Sequence, residues 1–284
     1  NLVDKLIKDG HEVIVVDNLS SGKILNVNSN ATFYNHDIRM PFAKEMISGV
    51  DTVFHCAAIA RVQPSIENPF IYHDNNVNGI FNLLELCRAF KVKRFVYSSS
   101  SSVYGDAITP TSESCPTDPM SPYALNKLMS EQYCKLYNKL YGMETVCLRY
   151  FNVYGERQLL EGAYCLVMGI FVQQRLNNKP MTIRGDGEQR RDFTYVGDIV
   201  DANIKASQSH KVGNGEVINI GNGNNRSVNQ IADMIGGDRI TVDPVVEPRE
   251  TLADNTKARE LLDWKPTMII EDWVKQYKKE LGLK

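Results

Sequence analysis

Short apolar runs alternate with helical periodicities through the first half of the chain. β-branched and aromatic residues concentrate at 12–17, 31–34, 51–55, 94–99 and 144–150. Each run is short and bounded by polar or turn-forming residues, which predicts a strand. Between the third and fourth runs a helical pattern extends from about 68 to 90. A further helix is predicted between the fourth and fifth. Ser121 suits its N-cap, Pro122 its first position, and Gly142 its end. Buried strands alternating with helices predict an α/β fold with a doubly wound parallel sheet.

The two ends read differently. Leu2, Val3, Leu6 and Ile7 make one apolar helical face that Gly10 stops. No strand precedes this helix, so the chain reads as beginning just inside a βα unit. A central strand would then be missing from the sheet, which predicts exposed strand edges and poor solubility. Past Phe151 the pattern becomes mixed. Gly185-Asp186-Gly187 and Gly221-Asn222-Gly223 predict turns, and helices are predicted near 163–177, 227–235 and 255–262. This predicts a smaller mixed α/β domain after the sheet.

Composition narrows the function classes. A chain of 284 residues is long enough for one or two domains with a full core. The net charge is −2 and the cations are scattered, which argues against a nucleic-acid partner. The six cysteines form no C-x-x-C pair. Cys56, Cys87 and Cys147 lie in apolar contexts and read as core thiols, which predicts a reduced, cytoplasmic compartment. The five histidines form no ligand pair, so no metal is expected. No apolar run approaches the roughly 18 residues of a membrane helix, and no leader-like segment is read.

The candidate chemistry lies in Ser121-Pro122-Tyr123-Ala124-Leu125-Asn126-Lys127, preceded by the serine run 98–102. Tyr123 and Lys127 stand four apart, on one helical face. A lysine cation and a helix N-terminus both favour the phenolate, which predicts a lowered Tyr123 pKa and a proton-transfer role. The spacing alone also suits an ordinary amphipathic helix with a half-buried Tyr and a solvated Lys. The serine run tips the balance, because ligands bind just past the ends of such strands. Asp17, at the end of the first strand, reads equally as a ribose ligand or as the start of a turn with Asn18. Gly221-x-Gly223-x-x-Arg226 lacks a third glycine and reads as a turn before an N-cap at Ser227.

Several segments together carry a resemblance. They are Val15-Val16-Asp17-Asn18, His36-Asp37-Ile38-Arg39, Val53-Phe54-His55-Cys56-Ala57-Ala58, Asn75-Asn76-Val77-Asn78-Gly79 and Ser98 through Gly105. Ser121-Pro122-Tyr123 with Lys127, Leu148-Arg149-Tyr150-Phe151-Asn152 and Arg190-Arg191-Asp192-Phe193 complete the set. In this order, over nearly the whole chain, they resemble the extended short-chain dehydrogenase/reductase family, and within it the UDP-glucose and UDP-N-acetylglucosamine 4-epimerases.

The resemblance implies a Rossmann-like domain that binds NAD, formed by 1–154 plus 193–222. The UDP-sugar domain would be 155–192 plus 223–284. It implies Ser100, Tyr123 and Lys127 as catalytic residues, with Tyr123 as the base. Asp17, Asn18, Asp37, Ile38, Ala57, Ala58, Asn75, Ser98, Tyr123, Lys127 and Tyr150 would bind the cofactor. Ser100, Tyr123, Asn152, Arg191, Arg249 and Thr251 would bind a UDP-hexose, Thr251 as a small gate beside the C2 substituent. Gly162-Ala163-Tyr164 also resembles members that accept N-acetyl sugars. His55 would be structural. A homodimer would form through the helices at 68–90 and 121–142.

Two departures stand out. The family's Gly-x-x-Gly-x-x-Gly turn is absent, and its Arg-Pro-Gly-Asp-like clamp is replaced by Val245-Val246-Glu247-Pro248-Arg249. The related dehydratases place acidic groups just after the catalytic hydroxyl, where this chain has Ser101 and Ser102. The alternatives are another nucleotide-sugar epimerase or dehydratase, an impaired fragment, or a nucleotide-binding relative.

Overall fold

The computed structural model describes residues 1–160, 165–244 and 247–283. Helix α1 (Leu2–Lys8) buries none of its residues. Strands β1 (Ile14–Asp17) and β2 (Thr32–Asn35) form a parallel pair. Strand β3 (Thr52–His55) leads into α2 (Val62–Glu67), α3 (Pro69–His73) and α4 (Gly79–Ala89). The residues between α3 and α4, Asp74–Asn78, form a π-helical turn. The backbone stays helical through this turn, so the helix predicted at 68–90 carries a π-bulge near its middle.

Strand β4 (Arg94–Ser100), helix α5 (Pro122–Tyr141) and strand β5 (Glu144–Tyr150) follow. The ends of α5 have the predicted chemistry. The Ser121 hydroxyl accepts from the Ala124 amide at 3.2 Å. Gly142 closes the helix at φ +67°, a left-handed conformation that costs glycine least.

The rest of the chain forms β6 (Val153–Tyr154), α6 (Val167–Leu176), β7 (Met181–Arg184), β8 (Arg190–Asp192) and β9 (Thr194–Tyr195). Then come α7 (Val196–Gln208), β10 (Asn214–Ile220), β11 (Asn225–Ser227) and α8 (Val228–Ile235). Strand β12 (Arg239–Val242) and helices α9 (Thr256–Leu262) and α10 (Ile270–Glu280) complete the order. The predicted N-cap of α8 is realised as a reciprocal Ser227/Gln230 capping box. Gly162-Ala163-Tyr164 lies outside the described residues, as do Val245 and Val246.

The main sheet is parallel, in the order β10-β5-β4-β3. Its residues alternate between two cores, as the period of a strand requires. Phe95, Tyr97 and Cys147 pack with α4 and α5 on one face. Val96, Val146, Leu148, Ile218 and Ile220 pack with Ile199, Ala202 and Ala206 of α7, and with α9, on the other. Helices on both faces make the sheet doubly wound and Rossmann-like. A third core joins α6, β7, α8 and α10 around Phe171, Met181, Ile231 and Trp273.

The unpartnered strand edges expected from the sequence are seen in the sheet. Among the described residues β1 pairs only with β2, and β3 only with β4, so the sheet comes in two pieces. Each of β1 and β3 therefore has an edge without a strand partner. Ile14, Val15 and Val16 are accordingly only half-buried, whereas Phe95, Val96 and Val146 are fully buried.

Candidate active site

Strands β1 and β2 run parallel to each other, as do β3, β4 and β5, and their C-terminal ends carry most of the predicted site. Asp17 and Asn18 follow β1, and Asp37 and Ile38 lie just past β2. Ala57 and Ala58 follow β3, while Ser98 and Ser100 end β4 and Tyr150 ends β5. Parallel α/β sheets bind ligands at this position.

The proton-transfer pair is set by the first turns of α5. Lys127 is buried, and its ammonium donates to the Ser98 carbonyl at 2.7 Å. It lies 5.9 Å from the centre of the Tyr123 ring and 5.0 Å from that of Tyr97. The Tyr123 amide donates to Ser65 Oγ at 3.2 Å, which ties α2 to the N-terminus of α5. Burial lowers the Lys127 pKa to about 8, against the opposing influence of Cys56 and Glu131. Tyr123 differs from the sequence expectation: burial raises its pKa, and a hydrogen bond with Ser100 opposes the rise. Desolvation of the phenolate outweighs the helix N-terminus here.

Around this pair the side chains form a network. Ser98 Oγ and the Tyr150 hydroxyl lie 3.1 Å apart. The Tyr150 hydroxyl is also 3.0 Å from Asn203 Oδ1 and accepts from Asn203 Nδ2 at 2.8 Å. Asn203 was not found from sequence because α7 was not recognised. Its signal is a lone amide beside the apolar positions Ile199, Ala202 and Ala206. Cys56 corrects another expectation. It is exposed rather than a core thiol, and Ser98 Oγ donates to its sulfur at 3.3 Å. Cys87 and Cys147 are buried as expected. His55 is buried between Phe95 and Tyr97, and burial pushes its pKa down to about 3. A neutral imidazole packed this way is structural.

The strand ends toward β1 and β2 are wired together. Asp17 starts a turn, since its Oδ1 accepts from the Leu19 amide at 2.6 Å. Its exposed carboxylate can also reach a ligand, so the two readings of Asp17 are compatible. Asn18 Nδ2 donates to Asp37 Oδ2 at 3.2 Å. Arg39 holds Asp37 with a bidentate pair, which keeps this carboxyl well below the usual carboxylate range. The Ile38 carbonyl accepts from Asn82 at 2.6 Å. Asn75 donates to the Ile71 carbonyl at 2.8 Å. Its neighbour Asn76 clamps the loop past Ala57 and Ala58 through both backbone groups of Ile59, at 2.8 and 2.9 Å. The asparagine pair was visible in sequence, but not which member holds the loop.

The second wall comes from β8 and the segment 249–253. Asn152 Nδ2 donates to the Asp192 carbonyl at 3.3 Å and approaches Thr251 Oγ1 at 3.5 Å. The Asp192 amide also donates to Thr251 Oγ1, at 3.3 Å. Arg191 pairs with Glu247 at 2.8 Å. Asn152 and Thr251 are thus brought together beside the backbone of Asp192, while the Arg191 side chain turns to Glu247. The exposed Arg249 side chain points elsewhere and pairs with Asp186 at 2.8 Å. Asp192 is buried and accepts the amides of Asn222 (2.7 Å), Gly223 (2.9 Å) and Ala253 (3.0 Å). The turn at Gly221 therefore spends its amides on a carboxylate, in keeping with its reading as a turn and not a phosphate site.

Asp17, Ala57, Ala58, Ser98 and Tyr150 lie at or just past strand ends, where the resemblance would place a dinucleotide, with Lys127 bonded to Ser98. Asp17 ends β1 with an exposed carboxylate, and the Lys127 ammonium is held at the end of β4. Among the described residues no cluster of three His, Cys, Asp or Glu side chains could hold a metal. No described helix is long and apolar enough to cross a membrane.

Comparison with known proteins agrees with this geometry. Residues 1–221 match the model of the NAD dependent epimerase/dehydratase family. A UDP-glucose 4-epimerase of Mycolicibacterium smegmatis is 35% identical, covering 96% of this chain and 91% of the relative. The UDP-glucose 4-epimerase of Thermotoga maritima, solved with UDP-glucose, is 37% identical with a TM-score of 0.91, over 99% of this chain and 95% of that one. The UDP-N-acetylglucosamine 4-epimerase of Methanobrevibacter ruminantium, in complex with UDP-N-acetylmuramic acid, is 34% identical with a TM-score of 0.91, over 98% and 94%. The chain belongs to the NAD-dependent epimerase/dehydratase family.

Proposed function

We propose that the protein is a UDP-hexose 4-epimerase that works through a 4-keto sugar. The observation that carries this reading is the Tyr123–Lys127 pair on α5, with Ser100 at the Tyr123 hydroxyl and Ser98 at the Lys127 ammonium. Bound NAD would supply the hydride acceptor and donor. The protein's share is proton transfer and positioning. Tyr123 takes the proton of the sugar C4 hydroxyl and returns it after the sugar has turned. Tyr123 does so as the phenolate, which Lys127 stabilises, while Ser100 holds that hydroxyl. Asp17 takes the adenosine ribose, and Tyr150 and Ser98 flank the nicotinamide end.

Asn152 and Arg191 would hold the UDP diphosphate, which must displace Glu247 from Arg191. Arg249 could join only by leaving Asp186. The NAD domain is assigned to 1–154 plus 193–222 and the UDP-sugar domain to 155–192 plus 223–284. The dehydratase alternative is disfavoured because Ser101 and Ser102 supply no carboxylate beside Ser100. Glucose and galactose are the proposed sugars. The small Thr251 favours the N-acetylated pair as additional substrates.

A homodimer is proposed through α4 and α5. Leu125, Leu136 and Leu140 are exposed along one face of α5, and Phe81 of α4 packs on Tyr133 beside them. The proposed compartment is the cytoplasm. Incubating the enzyme with UDP-glucose and following the anomeric proton signals tests the function. UDP-galactose should form until both sugars coexist, and a 4-keto-6-deoxy product would support the dehydratase instead.

A further inference from the structure

A buried ion pair lies one turn beyond Lys127. Glu131 is 2% exposed and receives Arg149 through Nη2 at 2.6 Å and Nε at 2.9 Å. The Ser99 hydroxyl donates to the same carboxylate at 2.5 Å. Ser99 of β4 and Arg149 of β5 are register partners, and both side chains point to the α5 face of the sheet. A single carboxylate therefore pins the edges of two adjacent strands. The neighbours of these two residues are Ser98, Ser100 and Tyr150, all part of the site. On its far side Arg149 lies over the Tyr104 ring, 4.5 Å from its centre. Tyr104 in turn donates to Asn219 at 2.7 Å.

Burying such a pair is costly, and apolar residues of similar volume often serve a core as well or better. Its location suggests a different use. The groups facing Lys127 are His55 and Cys56 from β3 and its loop, Tyr97 and Ser98 from β4, and Tyr123 and Glu131 from α5. Burial keeps His55 neutral, and desolvation at its sulfur raises the Cys56 thiol above its ordinary pKa although the residue as a whole is exposed. Glu131, one turn along α5 from Lys127 and paired with Arg149, is the carboxylate that favours the Lys127 ammonium.

We propose that Glu131 is a positioning residue of the proton-transfer site: it fixes the Ser98–Ser100 edge through Ser99 and Arg149, and it supplies the counter-charge for the Lys127 ammonium. This rests on the functional reading above. Lys127 stays an ammonium at neutral pH although it is buried, and its acceptor, the Ser98 carbonyl, is held on a strand that cannot slide.

Two variants test it. Glu131→Gln keeps the shape and removes the charge. The titration midpoint of Lys127 is read by NMR on 13C-lysine-labelled, NAD-free protein, with the signal assigned through Lys127→Arg. The midpoint should fall by about one pH unit. The alkaline limb of the kcat profile should move down with it. Ser99→Ala leaves the ion pair and removes only the strand contact. It should lower kcat by about 3–10-fold, with KM and the Lys127 midpoint unchanged. A Glu131→Gln protein that melts earlier but keeps both the midpoint and the alkaline limb would reduce Glu131 to a structural residue and overturn the proposal. If Glu131→Gln does not fold, an unchanged kcat in Ser99→Ala overturns it. Absence of UDP-sugar turnover in the wild type would strike the functional reading alone, because the Lys127 titration still reports the effect of Glu131.

Discussion

The Lys127 ammonium donates to the Ser98 carbonyl at 2.7 Å, with both residues buried. This bond joins the first turns of α5 to the end of β4. It fixes where the helix presents Tyr123 relative to Ser100, and the account of the chemistry depends on that placement.

Tyr123 is the one acid/base group assigned to the sugar hydroxyl. Tyr123→Phe should lower turnover by roughly 10²–10⁴ or more. UDP-sugar affinity, measured by calorimetry, should change by only a few-fold. Near wild-type epimerisation would remove Tyr123 from the mechanism.

Asp17 should set the choice of cofactor. Its carboxylate is exposed at the end of β1, and in the proposed reading it would meet the adenosine ribose, where a 2′-phosphate would meet like charge. Binding titrations should therefore give tighter NAD than NADP binding. Asp17→Asn should narrow the gap, and a preference of the wild type for NADP would contradict the role.

Much of this was legible in sequence because it is local. Ser121, Pro122 and Gly142 bound α5 by short-range chemistry, and a four-residue spacing is enough to align Tyr123 with Lys127. What was missed is non-local. Asn203 reaches Tyr150 from a helix more than fifty residues away in the chain, a distance that no local periodicity reports. The rise in the Tyr123 pKa depends on how many atoms pack around the phenol, which spacing cannot give. Cys56 looked like a core residue because its neighbours are apolar, yet it lies past the end of β3, at the open edge of the sheet. Arg249 was placed by a motif that is irregular in this chain, and its side chain follows Asp186 instead.

Thr251 is small but engaged, accepting from the Asp192 amide at 3.3 Å. Thr251→Ser keeps that bond and should preserve activity on both UDP-glucose and UDP-N-acetylglucosamine. Thr251→Tyr should abolish the second activity by steric exclusion and spare most of the first. Equal loss of both would show that the hydroxyl contact matters and the gate does not.

Asp192 should leave a mark on the pH dependence of stability. Burial raises its pKa from 3.8 to about 6, even though three backbone amides favour the carboxylate. The folded protein then holds a proton that the unfolded chain releases between those values. The contribution of this group is fully present below pH 3.8 and is lost as pH rises through about 6. The upper limit is on the order of 3 kcal/mol. In urea unfolding, the stability of wild type relative to Asp192→Asn should fall between pH 4 and pH 7. A relative stability that rises over that interval would show that the amides outweigh burial.

The proposed dimer face predicts that Leu136→Glu with Leu140→Glu converts a dimer to a monomer, measured by light scattering. Both side chains are exposed on α5 and should not unfold the subunit. A wild type that is monomeric at all concentrations would contradict the assignment.

The central claim is that a hydrogen leaves C4 of the sugar and returns to the same carbon while Tyr123 handles only the hydroxyl proton. The most direct measurement uses UDP-glucose deuterated at C4, incubated with the enzyme in ordinary water and followed by NMR and mass spectrometry. The account predicts UDP-galactose that retains the deuterium at C4. Product carrying solvent hydrogen at C4, or deuterated UDP-glucose that never becomes UDP-galactose, would contradict it.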